Sequence, residues 1–157
     1  MLRRLLKPRT IAIALMVLFV GMQAVPVWLR QTNPPVVTDV AWTTPEAASI
    51  ARRACYDCHS NQTNWPWYSR IAPVSWLVTY DVVEGRAELN FSLPLREPEE
   101  LAAEIAEVLC EGEMPPRAYV LLHPEANLTP QEMETLIAGT PGATGLRAGE
   151  GYGGDDN

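Results

Sequence analysis

The stretch from Cys55 to Tyr68, CYDCHSNQTNWPWY, has two cysteines three positions apart, a histidine directly after the second, and a dense run of aromatic residues. Such a pair of thiols can form a redox disulfide, bind a metal or carry a covalent cofactor. A thioredoxin-like redox motif needs a βαβ context, and the sequence shows none. A structural zinc site needs four ligands in a closed geometry. Five consecutive residues cannot readily supply three of them, and only Cys110 and His123 remain elsewhere. A plain disulfide would leave the histidine unexplained.

The spacing Cys-x-x-Cys-His is instead the attachment signature of c-type haem. Two thiols on adjacent turns reach the two vinyl groups of one porphyrin, and the next side chain then lies beneath the iron as its proximal ligand. The sequence therefore predicts that Cys55 and Cys58 carry one haem c per chain and that His59 binds its iron.

The second axial ligand must come from another part of the chain. Met114, in EGEMPP, follows a predicted helix and precedes two prolines that restrict the backbone presenting its thioether. His123, in LLHPEA, is the alternative ligand, whereas Met133 falls inside a predicted helix and is assigned to packing. Met114 is favoured because a methionine between Glu113 and Pro115 on a loop has little core to fill.

The N-terminal part reads as a membrane anchor. Residues 10–29 carry no charge, and a helix of 20 residues spans about 30 Å, the thickness of the hydrocarbon layer of a bilayer. Arg3, Arg4, Lys7 and Arg9 flank it, which predicts a cytoplasmic N-terminus and an exported remainder on the periplasmic side. Trp28 falls at the far interface. The alternative is a signal peptide cleaved after Ala24, which exports the same domain.

The charge distribution limits the partners. The net charge is −7, but the residues after position 9 contain eight basic and 19 acidic residues, a net charge of −11. Such an acidic surface repels nucleic acid and anionic lipid and suits a basic protein partner.

Helix signals recur through the rest of the chain. They predict helices near 45–56, 73–85, 98–112 and 129–139, with Thr44 as the cap of the first, Gly112 as the stop of the third and a capping box at Thr129. No segment alternates as a strand, so the expected fold class is all-α. The expected organisation is a basic flank and anchor over 1–30, a stiff linker over 31–42, the domain over 43–140 and a disordered Gly-rich acidic tail over 141–157. The apolar residues are spread over four short helices and long Pro-rich connections, which predicts a thin core that a bound cofactor completes.

Two further expectations concern side chains. Six aromatic residues between positions 55 and 80 are expected to wall off the haem, with Arg70 available to its propionates: Tyr56, Trp65, Trp67, Tyr68, Trp76 and Tyr80. Cys110 closes a helix beside its apolar face, which predicts a buried free thiol, with an intermolecular disulfide as the alternative.

Taken together, the pieces CYDCHSNQTNWPWYSRIAPVSWLV, EGRAELNFS, GEMPP and LLHPEA resemble the c-type haem-binding domain family over roughly residues 46–138. The resemblance implies that Cys55, Cys58 and His59 carry the haem and that Met114 is the family's Met-Pro-Pro methionine. The layout is also similar to small class I cytochromes c. Two features depart from these patterns. The segment LNFS (residues 89–92) continues into LPLREPEE (residues 93–100) and not into the expected Trp-containing segment. The last helix also stops early, which predicts weaker packing of the last helix on the first.

The leading functional interpretation is a membrane-anchored, non-enzymatic electron-transfer cytochrome that serves an unknown redox partner. It requires both axial positions to be filled by protein. The alternative is a haem-based sensor in which the methionine yields to a small ligand. A peroxidase is disfavoured because no distal His or Arg is identifiable.

Overall fold

The computed structural model describes residues 7–94 and 97–145, and all regular structure within those ranges is helical. The all-α expectation is confirmed. Within these two ranges, seven α-helices follow one another: α1 Pro8–Met22, α2 Pro45–Ala54, α3 Tyr56–His59, α4 Val74–Glu88, α5 Pro98–Cys110, α6 Arg117–Leu122 and α7 Pro130–Gly139. Short 3-10 turns cover Val27–Arg30, Trp67–Arg70 and Pro124–Ala126.

The N-terminal helix is shorter than predicted. α1 spans 15 residues and ends at Met22, and a separate 3-10 turn follows Pro26, whose ring disfavours helical geometry in the residue before it. No helix within residues 7–94 and 97–145 is long and apolar enough to cross a membrane. The predicted single helix over residues 10–29 is therefore wrong in its length. Arg3 and Arg4 of the basic flank, and the side chain of Trp28, lie outside the described part.

The end of α1 is attached to the rest of the molecule. The Gln23 side chain donates a hydrogen bond to the carbonyl oxygen of Ala72 at 3.2 Å and accepts one from the Ala72 amide at 3.0 Å. The 3-10 turn Val27–Arg30 packs against α4. None of the α1 side chains is buried.

The predicted linker over residues 31–42 belongs to the domain. Its Val37 amide donates to the carbonyl oxygen of Ser92 at 2.9 Å, Val40 is buried in the core, and Trp42 packs against that core. An extended segment with this apolar content gains more by burial than by standing free in water. The interpretation of this segment as a free spacer is therefore wrong.

A polar network around Tyr56 joins this segment to α2 and α3. The Tyr56 hydroxyl donates to Asp39 and accepts from the Trp42 indole at 3.1 Å, and Arg52 pairs with Asp39 at 2.6 Å. Burial alone would raise the pKa of Asp39, but the bonds from Tyr56 and Arg52 outweigh it and leave that pKa below its ordinary value. Burial, then the neighbouring carboxylate, raises the pKa of Tyr56 to about 12.

The first and last helices of the domain, α2 and α7, cross in backbone contact. A side chain on Gly139 would come within 2.2 Å of the Ala47 Cβ, and the Thr43 amide donates to the Gly139 carbonyl at 2.9 Å. Both helices begin as predicted, with Thr44 capping α2 and a full capping box at the start of α7. The early end of α7 does not weaken this packing, because its last residue makes the closest approach.

The start of the predicted tail also contacts the domain. Residues 141–145 form turns, and Gly142, at φ +86°, lies so close to Pro98 that an added Cβ would meet its carbonyl carbon at 2.3 Å. Only glycine suits both the left-handed backbone and this contact. Residues 146–157 lie outside the described part.

Candidate functional site

One cleft brings the predicted ligands together. Its volume is about 440 Å³, which is within the range of roughly 300–1,000 Å³ for cofactor and ligand sites. Most of its wall is apolar, and it is bounded by α3, α4, α5 and the loop that precedes α6. All four predicted haem residues line it: Cys55, Cys58, His59 and Met114.

His59 is oriented by the backbone that follows α4. Its Nδ1 lies 3.1 Å from the Leu89 carbonyl oxygen, which can only accept a hydrogen bond, so Nδ1 carries the proton. The neutral ring therefore has its lone pair on Nε2, the arrangement found in metal-binding histidines with an outer-shell carbonyl. Burial lowers the pKa of His59 despite the opposing effect of this hydrogen bond, which favours the neutral, ligating form.

The two motif cysteines are free thiols with little tendency to ionise. Burial, followed by repulsion from the other motif thiol, raises the pKa of Cys55 to about 12. Burial, followed by the nearby carboxylates of Asp81 and Asp57, does the same for Cys58. Redox-active cysteines have lowered pKa values, so this environment argues against a redox pair.

Met114 is placed by the way in which α5 ends. Gly112, at φ +70°, donates to the Leu109 carbonyl at 3.3 Å, and Glu113 donates to the Val108 carbonyl at 3.0 Å, which together form a Schellman motif. The Met114 amide also reaches the Val108 carbonyl, at 3.2 Å. We call residues 111–116 the Met loop. Met114 lines the cleft and is 37% exposed.

His123 does not line the cleft. Its Nε2 lies 2.5 Å from the Tyr68 hydroxyl, its Nδ1 lies 3.1 Å from a Glu125 carboxylate oxygen, and its ring stacks on Tyr119 with centroids 4.3 Å apart. Both ring nitrogens are therefore engaged away from the cleft.

The predicted aromatic wall is largely wrong. Of the six aromatic residues only Tyr80 lines the cleft, and Trp67 is 76% exposed. The rings that do line it are Trp42, Phe91 and Tyr119, with Tyr80. Proximity in sequence to the cysteines was the wrong criterion, because a turn after His59 carries the chain away and distant segments return to the cleft.

Gly85 is a site residue that sequence reasoning missed. A Cβ at this position would lie 2.8 Å from the Cys58 carbonyl oxygen, so its absence allows α4 to pass directly against α3. The sequence reading ended the helix at this glycine, whereas α4 continues to Glu88. A glycine inside an apolar helical pattern was the available signal of close approach.

The polar residues lining the cleft are mainly acidic: Asp81, Glu84, Glu88, Glu104 and Glu113. No lysine or arginine of the described chain lines it, and Arg70, predicted to reach the propionates, is exposed elsewhere. Burial raises the pKa of Asp81. The sequence showed an acidic domain but gave no indication that these carboxylates gather at the cleft.

Cys110 is exposed, not buried as predicted. It lies at the last position of α5, and the apolar face of that helix, with Leu101, Ile105 and Leu109, turns toward the core without it.

The donor set fits a haem better than a bare metal ion. Within residues 7–94 and 97–145 no group of three His, Cys, Asp or Glu side chains converges as a metal site would. Two thiols, an imidazole and a thioether around an apolar cleft supply the groups that attach and ligate a haem. The family model described as Haem-binding domain matches residues 17–141.

The chain belongs to the haem-binding domain family. The resemblance found in the motifs is thereby confirmed, and the matched range covers both the cysteine motif and the Met loop. No match was found among curated proteins or among solved structures. Haem binding is the activity that membership of this family supports.

Proposed function

We propose that this protein is a membrane-anchored monohaem cytochrome c that transfers single electrons on the extracytoplasmic side. The observation that carries the proposal is the convergence of Cys55, Cys58, His59 and Met114 on one apolar cleft of a haem-binding chain. Haem supplies one-electron redox chemistry when bound. The protein contributes attachment, orientation and exclusion of water.

Each residue has a distinct part in this proposal. Cys55 and Cys58 hold the cofactor covalently, and the Leu89 carbonyl keeps Nε2 of His59 directed for iron binding. The Met114 thioether would be the second protein ligand of the iron and would favour the reduced iron relative to a second imidazole. The apolar cleft walls keep water away from the cofactor.

The acidic cleft lining suggests the class of redox partner. Carboxylates on α4, α5 and the Met loop place negative charge around the opening through which an electron would pass. Opposite charge on the partner would accelerate encounter, and this effect weakens as salt rises. We therefore propose a basic redox protein as the partner.

The anchor rests on the uncharged N-terminal run and on α1, none of whose side chains is buried in the described part of the molecule. The extracytoplasmic side follows from the basic flank and from the place where haem is attached to such motifs.

Covalent attachment can be tested by intact mass. Protein produced with cytochrome c maturation machinery should exceed the polypeptide mass by one haem, and acid–acetone should not extract it. The variant with both Cys55→Ala and Cys58→Ala should lose the adduct, whereas Cys110→Ala, the matched control, should retain it. An unmodified wild-type mass would refute covalent attachment.

The sixth ligand can be tested by spectroscopy. Met114→Ala should abolish the far-red sulfur-to-iron charge-transfer band, lower the potential and admit carbon monoxide, with haem attachment intact. Met133→Ala is the matched control, and His123→Ala should leave the band in place. If His123→Ala opens the iron while Met114→Ala leaves the spectrum unchanged, the ligand assignment is wrong.

A haem-based sensor is the second candidate, and the exposure of Met114 on a loop favours it. Carbon monoxide binding by the reduced wild-type protein at neutral pH separates the two candidates. A cytochrome with a stable Met ligand should not bind it, whereas a sensor should.

A further inference from the structure

Asp57 lies between the two motif cysteines and is held at several points. One carboxylate oxygen accepts the Asn64 amide at 2.8 Å, and its backbone carbonyl accepts the Thr63 hydroxyl at 2.7 Å. The other carboxylate oxygen accepts the Tyr119 hydroxyl at 2.9 Å. These bonds fix the Asp57 side chain within the attachment loop (residues 55–64) and connect that loop to Tyr119, 62 positions later in the sequence.

Tyr119 belongs to the segment that carries Met114. It lies in the first turn of α6, directly after the Met loop, and its amide donates to the Pro116 carbonyl at 2.9 Å. Its ring lines the cleft and stacks on His123 at an interplanar angle of 16°. His123 does not line the cleft, and its ring is itself hydrogen-bonded to the Tyr68 hydroxyl. The stacking contact with His123 therefore holds the Tyr119 ring in place.

Apolar burial contributes little to holding the Met-bearing segment. No residue from 111 to 123 is buried, and α6 contributes no side chain to the core. Its attachment to the end of α5 consists of backbone hydrogen bonds at the Schellman motif. A hydrogen bond from a phenol to a carboxylate is stronger than one between neutral groups, so it weighs heavily in a segment with so few apolar contacts.

We infer that the hydrogen bond between Tyr119 and Asp57 holds the Met loop against the attachment loop and so keeps Met114 on the iron. This inference rests on the proposed function, in which these two loops carry the two axial ligands. Tyr119 and Asp57 are positioning residues: neither binds the iron, and each acts through Met114. Their loss should make Met114 easier to displace.

The test compares Tyr119→Phe with Tyr80→Phe in the haem-loaded full-length protein. Both tyrosines line the cleft, but no hydrogen bond is found for the Tyr80 hydroxyl among the described residues. A bond to a charged group is worth roughly a 10- to 100-fold change in an equilibrium constant. Tyr119→Phe should therefore raise the affinity of the ferric protein for imidazole by roughly 10- to 100-fold.

Two further readouts separate positioning from general stability. Amide hydrogen exchange over residues 113–118 should be faster in Tyr119→Phe than in Tyr80→Phe, with or without haem. In the Met114→Ala background, adding Tyr119→Phe should leave imidazole affinity unchanged, because the ligand on which it acts is gone. A purely structural role would change stability equally in both backgrounds.

The inference and the function on which it rests fail in different ways. If Tyr119→Phe binds imidazole within twofold of Tyr80→Phe while Met114→Ala binds it far more tightly, the inference is overturned and the ligand assignment stands. If Met114→Ala itself leaves imidazole affinity and the far-red band unchanged, the ligand assignment falls and the inference falls with it.

Discussion

Replacing Arg86 by methionine should destabilise the protein by about 3 kcal/mol, a large effect for one surface-reaching arginine. Arg86 lies on α4, and its guanidinium donates four hydrogen bonds to two segments of the chain, residues 32–33 and residues 60–63. The acceptors are the Ser60 carbonyl at 2.7 Å, the Thr32 carbonyl at 2.8 Å, Asn33 Oδ1 at 3.0 Å and Thr63 Oγ1 at 2.7 Å.

The magnitude follows from what each acceptor loses. Ser60 is fully buried, so its carbonyl would be left without the Arg86 bond in a place that water cannot easily reach, at a cost of about 1–3 kcal/mol. The other three bonds are exposed or partly buried, and water can replace them, so each contributes about 0.5 kcal/mol net. Lysine keeps the charge but presents a single nitrogen, so Arg86→Lys should recover about half of the loss.

The assay is denaturant unfolding of the full chain, with Arg52→Met as the matched control. Arg52 is itself half-exposed and pairs with one partly exposed carboxylate, and such surface pairs are worth less than about 1 kcal/mol. The reasoning would be refuted if Arg86→Met shifted the unfolding free energy no more than Arg52→Met does, or if Arg86→Lys matched the wild type.

Three other predictions concern the close contact of two helices, acid stability and the anchor. Gly85→Ala should lower the free energy of unfolding by about 1–3 kcal/mol and reduce haem attachment, because the added Cβ would lie 2.8 Å from the Cys58 carbonyl oxygen. Gly21→Ala is the control, because a Cβ at that position would have no atom within 4 Å. Equal free energies of unfolding for the two variants would contradict the prediction. Because the folded pKa of Asp39 is lowered, its contribution to stability is complete above about pH 4 and is lost as the pH falls through that lowered pKa. Asp39→Asn should thus flatten the acid limb of the stability curve below about pH 4, and an unchanged slope there would exclude this contribution. N-terminal sequencing of membrane-extracted protein should find the anchor retained, and a sequence beginning near Val25 would show that it is cleaved.

Local chemistry in the sequence was sufficient to predict the four longer helices of the domain and to single out the candidate attachment residues. Thr44 and Thr129 were predicted as helix starts because capping depends on residues within one turn, and both are confirmed. The cysteine motif is likewise local, since its spacing alone matches two thiols to one porphyrin. Gly112 was read correctly as a stop because a left-handed C-terminal residue favours glycine regardless of what surrounds it.

Contacts between distant segments decided the rest. The six aromatic residues near the motif were a poor guide to the cleft, since Trp42, Phe91 and Tyr119 reach it from elsewhere in the chain. The sequence also did not predict the structural roles of Gly85 and Arg86. The sequence cannot show that Gly85, inside α4, packs against Cys58. Nor can it show that the Arg86 guanidinium donates hydrogen bonds to acceptors between residues 32 and 63. These features depend on how helices cross, which is a property of packing in three dimensions and not of any sequence window.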